Sequence, residues 1–92
     1  MASHKATKGT LSELIVTTEL VQEGYDVFWA VSDQGIVDLV ALHPVTGNVR
    51  LIDVKTMSRR KDGSRIFRIP SKPQKKIGVE IIEVDLNEHL DV

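Results

Sequence analysis

The stretch Ile36-Val37-Asp38-Leu39-Val40-Ala41-Leu42-His43-Pro44-Val45-Thr46-Gly47-Asn48-Val49-Arg50-Leu51-Ile52-Asp53-Val54-Lys55 decides how this chain folds. It reads as two strands around a tight reversal. Ile36 to Leu42 is apolar apart from Asp38, and Val49 to Thr56 is apolar apart from Arg50, Asp53 and Lys55. Pro44 suits the second position of a type I turn, and Gly47 suits a left-handed position that closes a four-residue loop. Such a loop sets His43 opposite Asn48, and carrying the register back sets Asp38 opposite Asp53. A slip of one residue would turn either carboxylate to the other face.

An ionised Asp in an apolar strand is costly unless it is paired, hydrogen-bonded or bound to a metal. Directly opposed residues have Cβ atoms roughly 4.5–5.5 Å apart, where like charges destabilise the pairing. Asp53 and Lys55, two apart on one strand, project to the same face. The register therefore gathers two carboxylates and one ammonium. One reading is a structural ion pair in which Lys55 neutralises the aspartates. The other is a divalent cation between them. Oxygen ligands without His or Cys point to Mg²⁺, with Mn²⁺ as a substitute, rather than to zinc or an organic cofactor. Such a site suits phosphodiester hydrolysis, since a metal polarises the phosphate and lowers the pKa of a bound water.

On the N-terminal side, residues 1–9 read as a flexible arm. Thr10-Leu11-Ser12-Glu13 fits a capping box and predicts a helix starting at Thr10, with Leu11, Leu14, Ile15, Thr18 and Val21 at helical spacing and Gly24 as its C′ glycine. Tyr25 to Val31 reads as a strand and Ser32-Asp33-Gln34-Gly35 as a turn. On the C-terminal side, a basic loop around Asp62-Gly63 leads to a short strand from Arg65 to Ile69. Ser71 to Gly78 reads as loop or one weak helical turn, Val79 to Leu86 as a last strand, and 87–92 as a tail. The expected fold is a single α+β domain: a mixed or antiparallel sheet with one N-terminal helix packed on it.

Ninety-two residues without a cysteine leave no disulfide and no Cys-type metal site. With no apolar run of membrane-spanning length and no signal-peptide pattern, the chain is expected to be soluble and intracellular, hence cytoplasmic. The net charge of −1 hides a segregation. Between Lys55 and Lys76 there are nine Lys or Arg against Asp62 alone, whereas Glu80, Glu83, Asp85, Glu88 and Asp91 follow with no Lys or Arg. A basic stretch beside a carboxylate cluster suits a polyanion held over a metal; the plain alternative is a solvated loop and an acidic tail. His4, His43 and His89 are scattered over arm, turn and tail, and none reads as catalytic.

Asp38 followed by Asp53-Val54-Lys55 resembles the bipartite motif of the PD-(D/E)xK nucleases, with Val37 in place of the proline. The order of Lys8-Gly9, Glu13, Glu23-Gly24-Tyr25, Ser32, Gly35, Asp38 and Asp53-Val54-Lys55 is similar to the archaeal-type Holliday junction resolvases over roughly residues 8–70. The resemblance implies a restriction-endonuclease-like core. It implies Glu13 as a third metal ligand beside Asp38 and Asp53, and Ser32 near the scissile phosphate, with Lys55 completing the catalytic set. The bland readings are a capping residue for Glu13 and a turn residue for Ser32. Lys8, Arg59, Arg60, Lys61, Arg68 and Lys72 are expected phosphate contacts. The family's substantial second core helix is reduced or missing here, since Pro70 to Gly78 leaves little room, although Gln74 stands in the expected neighbourhood of that helix's glutamine. The uncovered sheet face favours a homodimer.

The function expected is a metal-dependent endodeoxyribonuclease acting on branched DNA such as four-way junctions. Rivals are a flap, nick, homing or restriction-type enzyme with the same chemistry, and a non-catalytic DNA-binding module with structural carboxylates. No added recognition helix for base edges is evident, which favours reading of DNA shape.

Overall fold

A computed structural model describes residues 4–32 and 35–89, with side chains from Thr7 onward. Helix α1 runs from His4 to Gln22, followed by strands β1 (Asp26–Trp29), β2 (Leu39–Leu42) and β3 (Val49–Thr56). A short hairpin with two-residue strands follows, β4 (Ser58–Arg59) with β5 (Arg65–Ile66), then helix α2 (Lys72–Ile77), strand β6 (Val79–Val84) and a last turn of helix, α3 (Leu86–His89). The main sheet has the order β1-β2-β3-β6. Its first three strands are antiparallel neighbours, and β6 lies parallel to β3. The architecture is an α+β fold with a mixed sheet and an N-terminal helix.

The reversal forms as its residues demand. His43 N–H donates to the Asn48 carbonyl and Gly47 N–H to the His43 carbonyl, both at 2.8 Å. Gly47 takes φ +75°, which costs glycine nothing. Leu42 then faces Val49, and Leu39 faces Ile52. His43 serves the turn itself, as its Nδ1 accepts the N–H groups of Val45 and Thr46, each at 3.3 Å.

Alternation along the strands sends Leu39, Ala41, Ile52, Val54 and Val84 to one face, where α1 lays Val16 and Leu20 against them; all are buried. Ser12, Val16 and Leu20 are four residues apart and make the buried stripe of α1. Ser12 is fully buried and is satisfied by Thr56, with the two hydroxyls 2.6 Å apart. The helix ends at Gly24 (φ +95°), where an added Cβ would come within 3.1 Å of His43 Nε2. The second face carries Phe28, Val40, Leu42, Val49 and Leu51, of which Phe28 and Val49 are more than half exposed.

Four expectations need correction. The part of the arm within the described residues is helix from His4, while residues 1–3 lie outside them. Thr10 is therefore inside a helix, and the capping box read there does not start one. The continuous run without Pro up to Gln22 gave the helix no reason to stop short. Conversely, Ser71 to Gly78 holds a capped helix: Ser71 Oγ accepts from Gln74 N–H, and Gln74 Oε1 accepts from Ser71 N–H at 2.9 Å. Strands β1, β2, β5 and β6 are shorter than the apolar runs that predicted them, because pairing ends where partners end. Asp33 and Gln34 of the expected turn, and residues 90–92 of the tail, lie outside the described residues.

Candidate functional site

The β2–β3 ladder ends where Asp38 begins. In a continued ladder Val54 N–H would meet the backbone of Val37; instead Asp38 Oδ2 accepts it at 2.7 Å. Asp38 N–H donates to the Ile52 carbonyl at 2.8 Å, and the Asp38 carbonyl accepts Ala30 N–H at 2.9 Å. Three bonds to two neighbouring segments thus fix this carboxylate at the strand end, which is also the open end of the sheet.

Asp53 is buried in the middle of β3, with its side chain on the face opposite α1. Its Oδ2 accepts Gln74 Nε2 at 2.8 Å, and Lys55 Nζ lies 3.6 Å from its Oδ1. The same Gln74 amide donates to the Ile36 carbonyl at 2.9 Å, so α2 is tied to both Asp53 and the segment leading into Asp38. Burial first, then a hydrogen bond to the Asp53 carboxyl, pushes the Asp38 carboxyl up to about 6, against the lowering effect of Val54 N–H; the charges of Asp53 and Glu13 add to the rise. Burial likewise raises Glu13.

Glu13 and Ser32 meet Asp38 around a cavity of about 200 Å³, with Trp29 as a further wall. Trp29 is held there by its indole N–H, which donates to Thr17 Oγ1 at 3.0 Å. Asp38 also borders a groove of about 660 Å³ shared with Asp53, Lys55, Arg68 and Gln74. Lys55 and Arg68 in turn border a third cavity, which Lys8 reaches from α1. Glu13, Ser32, Asp38, Asp53, Lys55, Lys8 and Arg68 thus line three cavities that share walls.

The remaining expected phosphate contacts stand elsewhere. Arg59 donates to the Gly63 carbonyl and pairs with Asp85 at 3.9 Å. Arg60 and Lys61 are exposed at the tip of the β4–β5 hairpin, and Lys72 is exposed at the start of α2. Part of the basic stretch is folded onto the acidic strand β6, since Arg65 also pairs with Glu83 at 3.5 Å. The segregated charges of the sequence partly neutralise one another.

The donor set fits a divalent cation through two carboxylates. Asp38 and Asp53 are apposed, and their mutual repulsion is what a cation relieves. Mg²⁺ is commonly held by one or two carboxylates together with water and substrate phosphates. Glu13 acts on Asp38 by charge, but among the described residues no three His, Cys, Asp or Glu side chains gather closely enough to hold a metal together.

Gln74, Trp29 and Glu83 are site residues that the sequence reading did not assign. Only Gln74 had a usable signal: Ser71-Lys72-Pro73-Gln74 has the capping-box spacing with a proline in the first turn. Compared with protein-family models, curated proteins and solved structures, the chain finds no match. Among the described residues no helix is long and apolar enough to cross a membrane.

Proposed function

We propose that this protein is a metal-dependent, structure-selective endodeoxyribonuclease with a restriction-endonuclease-like core, acting as a homodimer on four-way or other branched DNA. One observation supports the reading: two carboxylates, Asp38 just before β2 and Asp53 in β3, border one groove, with the Lys55 ammonium 3.6 Å from Asp53. A purely structural sheet gains nothing from that apposition, which raises the energy of the ionised pair.

When bound at Asp38 and Asp53, Mg²⁺ would supply Lewis acidity toward a phosphate oxygen and a water of lowered pKa. The chain's own groups do the rest. Asp38, anchored by Val54 N–H, and Asp53, anchored by Gln74, hold fixed negative charge with little freedom to reorganise. Lys55, 3.6 Å from Asp53 Oδ1, donates to a phosphate oxygen or holds the attacking water by its lone pair. Glu13 and Ser32 border a cavity with Asp38, where Glu13 would serve as a proton acceptor and Ser32 as a hydrogen-bond donor to a phosphate oxygen. Arg68 and Lys8 hold the strand on the far side of Lys55. The exposed second sheet face, with Phe28 and Val49, supports the homodimer, whose two-fold axis matches a two-fold junction.

A second reading, a DNA-binding module without cleavage, draws on the same hydrogen bonds: Val54 N–H and Gln74 already satisfy one oxygen of each aspartate. The two readings separate in one assay. The protein is incubated with a four-way junction, its matched duplex and a flap, in Mg²⁺ or EDTA, beside Asp53→Asn and Lys55→Ala. Paired nicks in the junction alone, lost in EDTA and in both variants, are expected. Cleavage confined to flap or duplex changes the substrate but keeps the chemistry, and tight binding without cleavage moves the protein to the second reading.

A further inference from the structure

Past Lys55 the groove opens into a cavity of about 370 Å³ whose walls come from three separate parts of the chain. Lys8 and Gly9 belong to α1, Thr56 to the end of β3 with Met57 just beyond it, and Arg68 to the segment before α2. Its lining includes three cations, Lys8, Lys55 and Arg68, and no carboxylate. Neither Lys8 nor Arg68 forms an ion pair among the described residues.

The walls are braced. Thr56 Oγ1 donates to the Lys8 carbonyl at 3.4 Å and is itself paired with the buried Ser12, which ties this turn of α1 to the end of β3. On the other side Glu83, the register partner of Lys55 on β6, accepts Arg68 N–H at 3.2 Å and pairs with Arg65. Glu83 thereby spends its charge on the backbone and on Arg65, while the Arg68 guanidinium borders the cavity. A concave wall lined by one sign of charge concentrates the field toward an anion, and Arg offers a planar fork beside the point charges of two lysines.

We propose that this cavity is a phosphate subsite, and that it takes the backbone phosphate neighbouring the one held over Asp38 and Asp53. The identity of the phosphate as DNA backbone rests on the nuclease reading; the affinity for a phosphate group does not. Lys55 is the shared wall, so a strand entering the subsite is led directly to the carboxylate pair. Glu83 is a positioning residue here, acting through the Arg68 backbone.

Gly9 gives the test. It lies within α1 and a side chain there meets nothing within 4 Å, so substitution is free of clash and raises helix propensity. Gly9→Glu puts a carboxylate at the cavity wall, and Gly9→Gln puts the same bulk there without charge. The wild-type protein is titrated with inorganic phosphate while its amide resonances are followed. Saturable shifts at Gly9, Met57 and Ser58 are expected, retained in Gly9→Gln and lost in Gly9→Glu and in Lys8→Gln. In parallel, binding of a four-way junction is measured for Asp53→Asn carrying Lys8→Gln, Arg68→Gln or both. Each should weaken binding on the order of tenfold, and the pair by much less than the product, because both cations hold one phosphate. Phosphate shifts with junction binding unaltered by either substitution would overturn the assignment to DNA backbone. No saturable shifts in the wild type, or equal shifts in Gly9→Glu, would overturn the subsite altogether. Loss of cleavage activity is not the readout, so a protein that binds phosphate here and cuts nothing refutes only the nuclease reading.

Discussion

Gln74 Nε2 donates to Asp53 Oδ2 at 2.8 Å across 21 residues of sequence, and the same amide group caps the helix that carries it. One side chain thus terminates α2, orients a buried carboxylate and, through the Ile36 carbonyl, holds the approach to Asp38. Groups that orient a metal ligand are typically worth 10–100-fold in metal affinity or activity. Gln74→Ala should lower Mg²⁺-dependent cleavage by about that factor. Ser71→Ala, which removes the cap but leaves the Gln74–Asp53 bond, should cost ~1 kcal/mol of stability and little activity. Equal activity losses in the two variants would assign Gln74 to the helix alone. Cleavage rates beside urea melts make the comparison.

Asp38 sets a pH dependence of unusual sign. Its carboxyl is raised to about 6 in the folded chain from an ordinary value of 3.8. Between those values the folded state binds more protons than the unfolded one, so stability falls as pH rises through the window. The metal-free protein should therefore melt at a lower temperature at pH 7 than at pH 4.5, as far as this group decides it. Asp38→Asn should flatten that slope, and millimolar Mg²⁺ should restore stability at pH 7 in the wild type only. Calorimetry at several pH values, with and without Mg²⁺, measures all three.

The register of β2 on β3 was readable because Pro44 and Gly47 allow few turns, and a turn fixes which residues face each other. The ladder itself stops at Leu39 opposite Ile52, so Asp38 is not paired with Asp53 in it; the two carboxylates instead border one groove. The start of α1 and the existence of α2 were misread through a single pattern. Thr10-Leu11-Ser12-Glu13 and Ser71-Lys72-Pro73-Gln74 both have the capping-box spacing. At Thr10 the preceding residues were themselves able to continue the helix, so no end existed to cap. At Ser71, Pro70 blocks helix on the N-terminal side and Gly78 closes the other, so a true end exists at both sides. Charge in sequence misled in a similar way. Arg59 read as a free phosphate contact because its partner Asp85 is distant in sequence and reaches it only after the parallel strand β6, and Arg65 of the same basic stretch is likewise taken up by Glu83 of β6.

The second sheet face bears on assembly. Phe28 is 57% exposed and Val49 54%, flanking Val40, Leu42 and Leu51, and a patch of this kind in a small domain is usually covered by a partner. Phe28→Glu should shift sedimentation from dimer to monomer with the circular dichroism unchanged. A wild type that sediments as a monomer at all concentrations would remove the dimer from the proposal.

The α1 face should tolerate no such change. Ile52 is fully buried between α1 and the sheet, and Ile52→Ala should cost about 2–5 kcal/mol, measurable by denaturant titration. In a chain this small such a loss leaves a fraction of molecules unfolded at 37 °C.

The parallel pairing of β3 with β6 sets an order of events in synthesis. Antiparallel β1, β2 and β3 can form as soon as they emerge, and both aspartates are then present. Gln74 and the partner strand that brings Glu83 beside Lys55 come only with residues 74–84. A nascent chain that has made Asp38 and Asp53 therefore still lacks the amide that aims Asp53 and the brace that holds Arg68. On the proposed reading the carboxylate pair is therefore fully braced only once residues 74–84 have been made, so a chain stopped before them carries the motif without the assembled site.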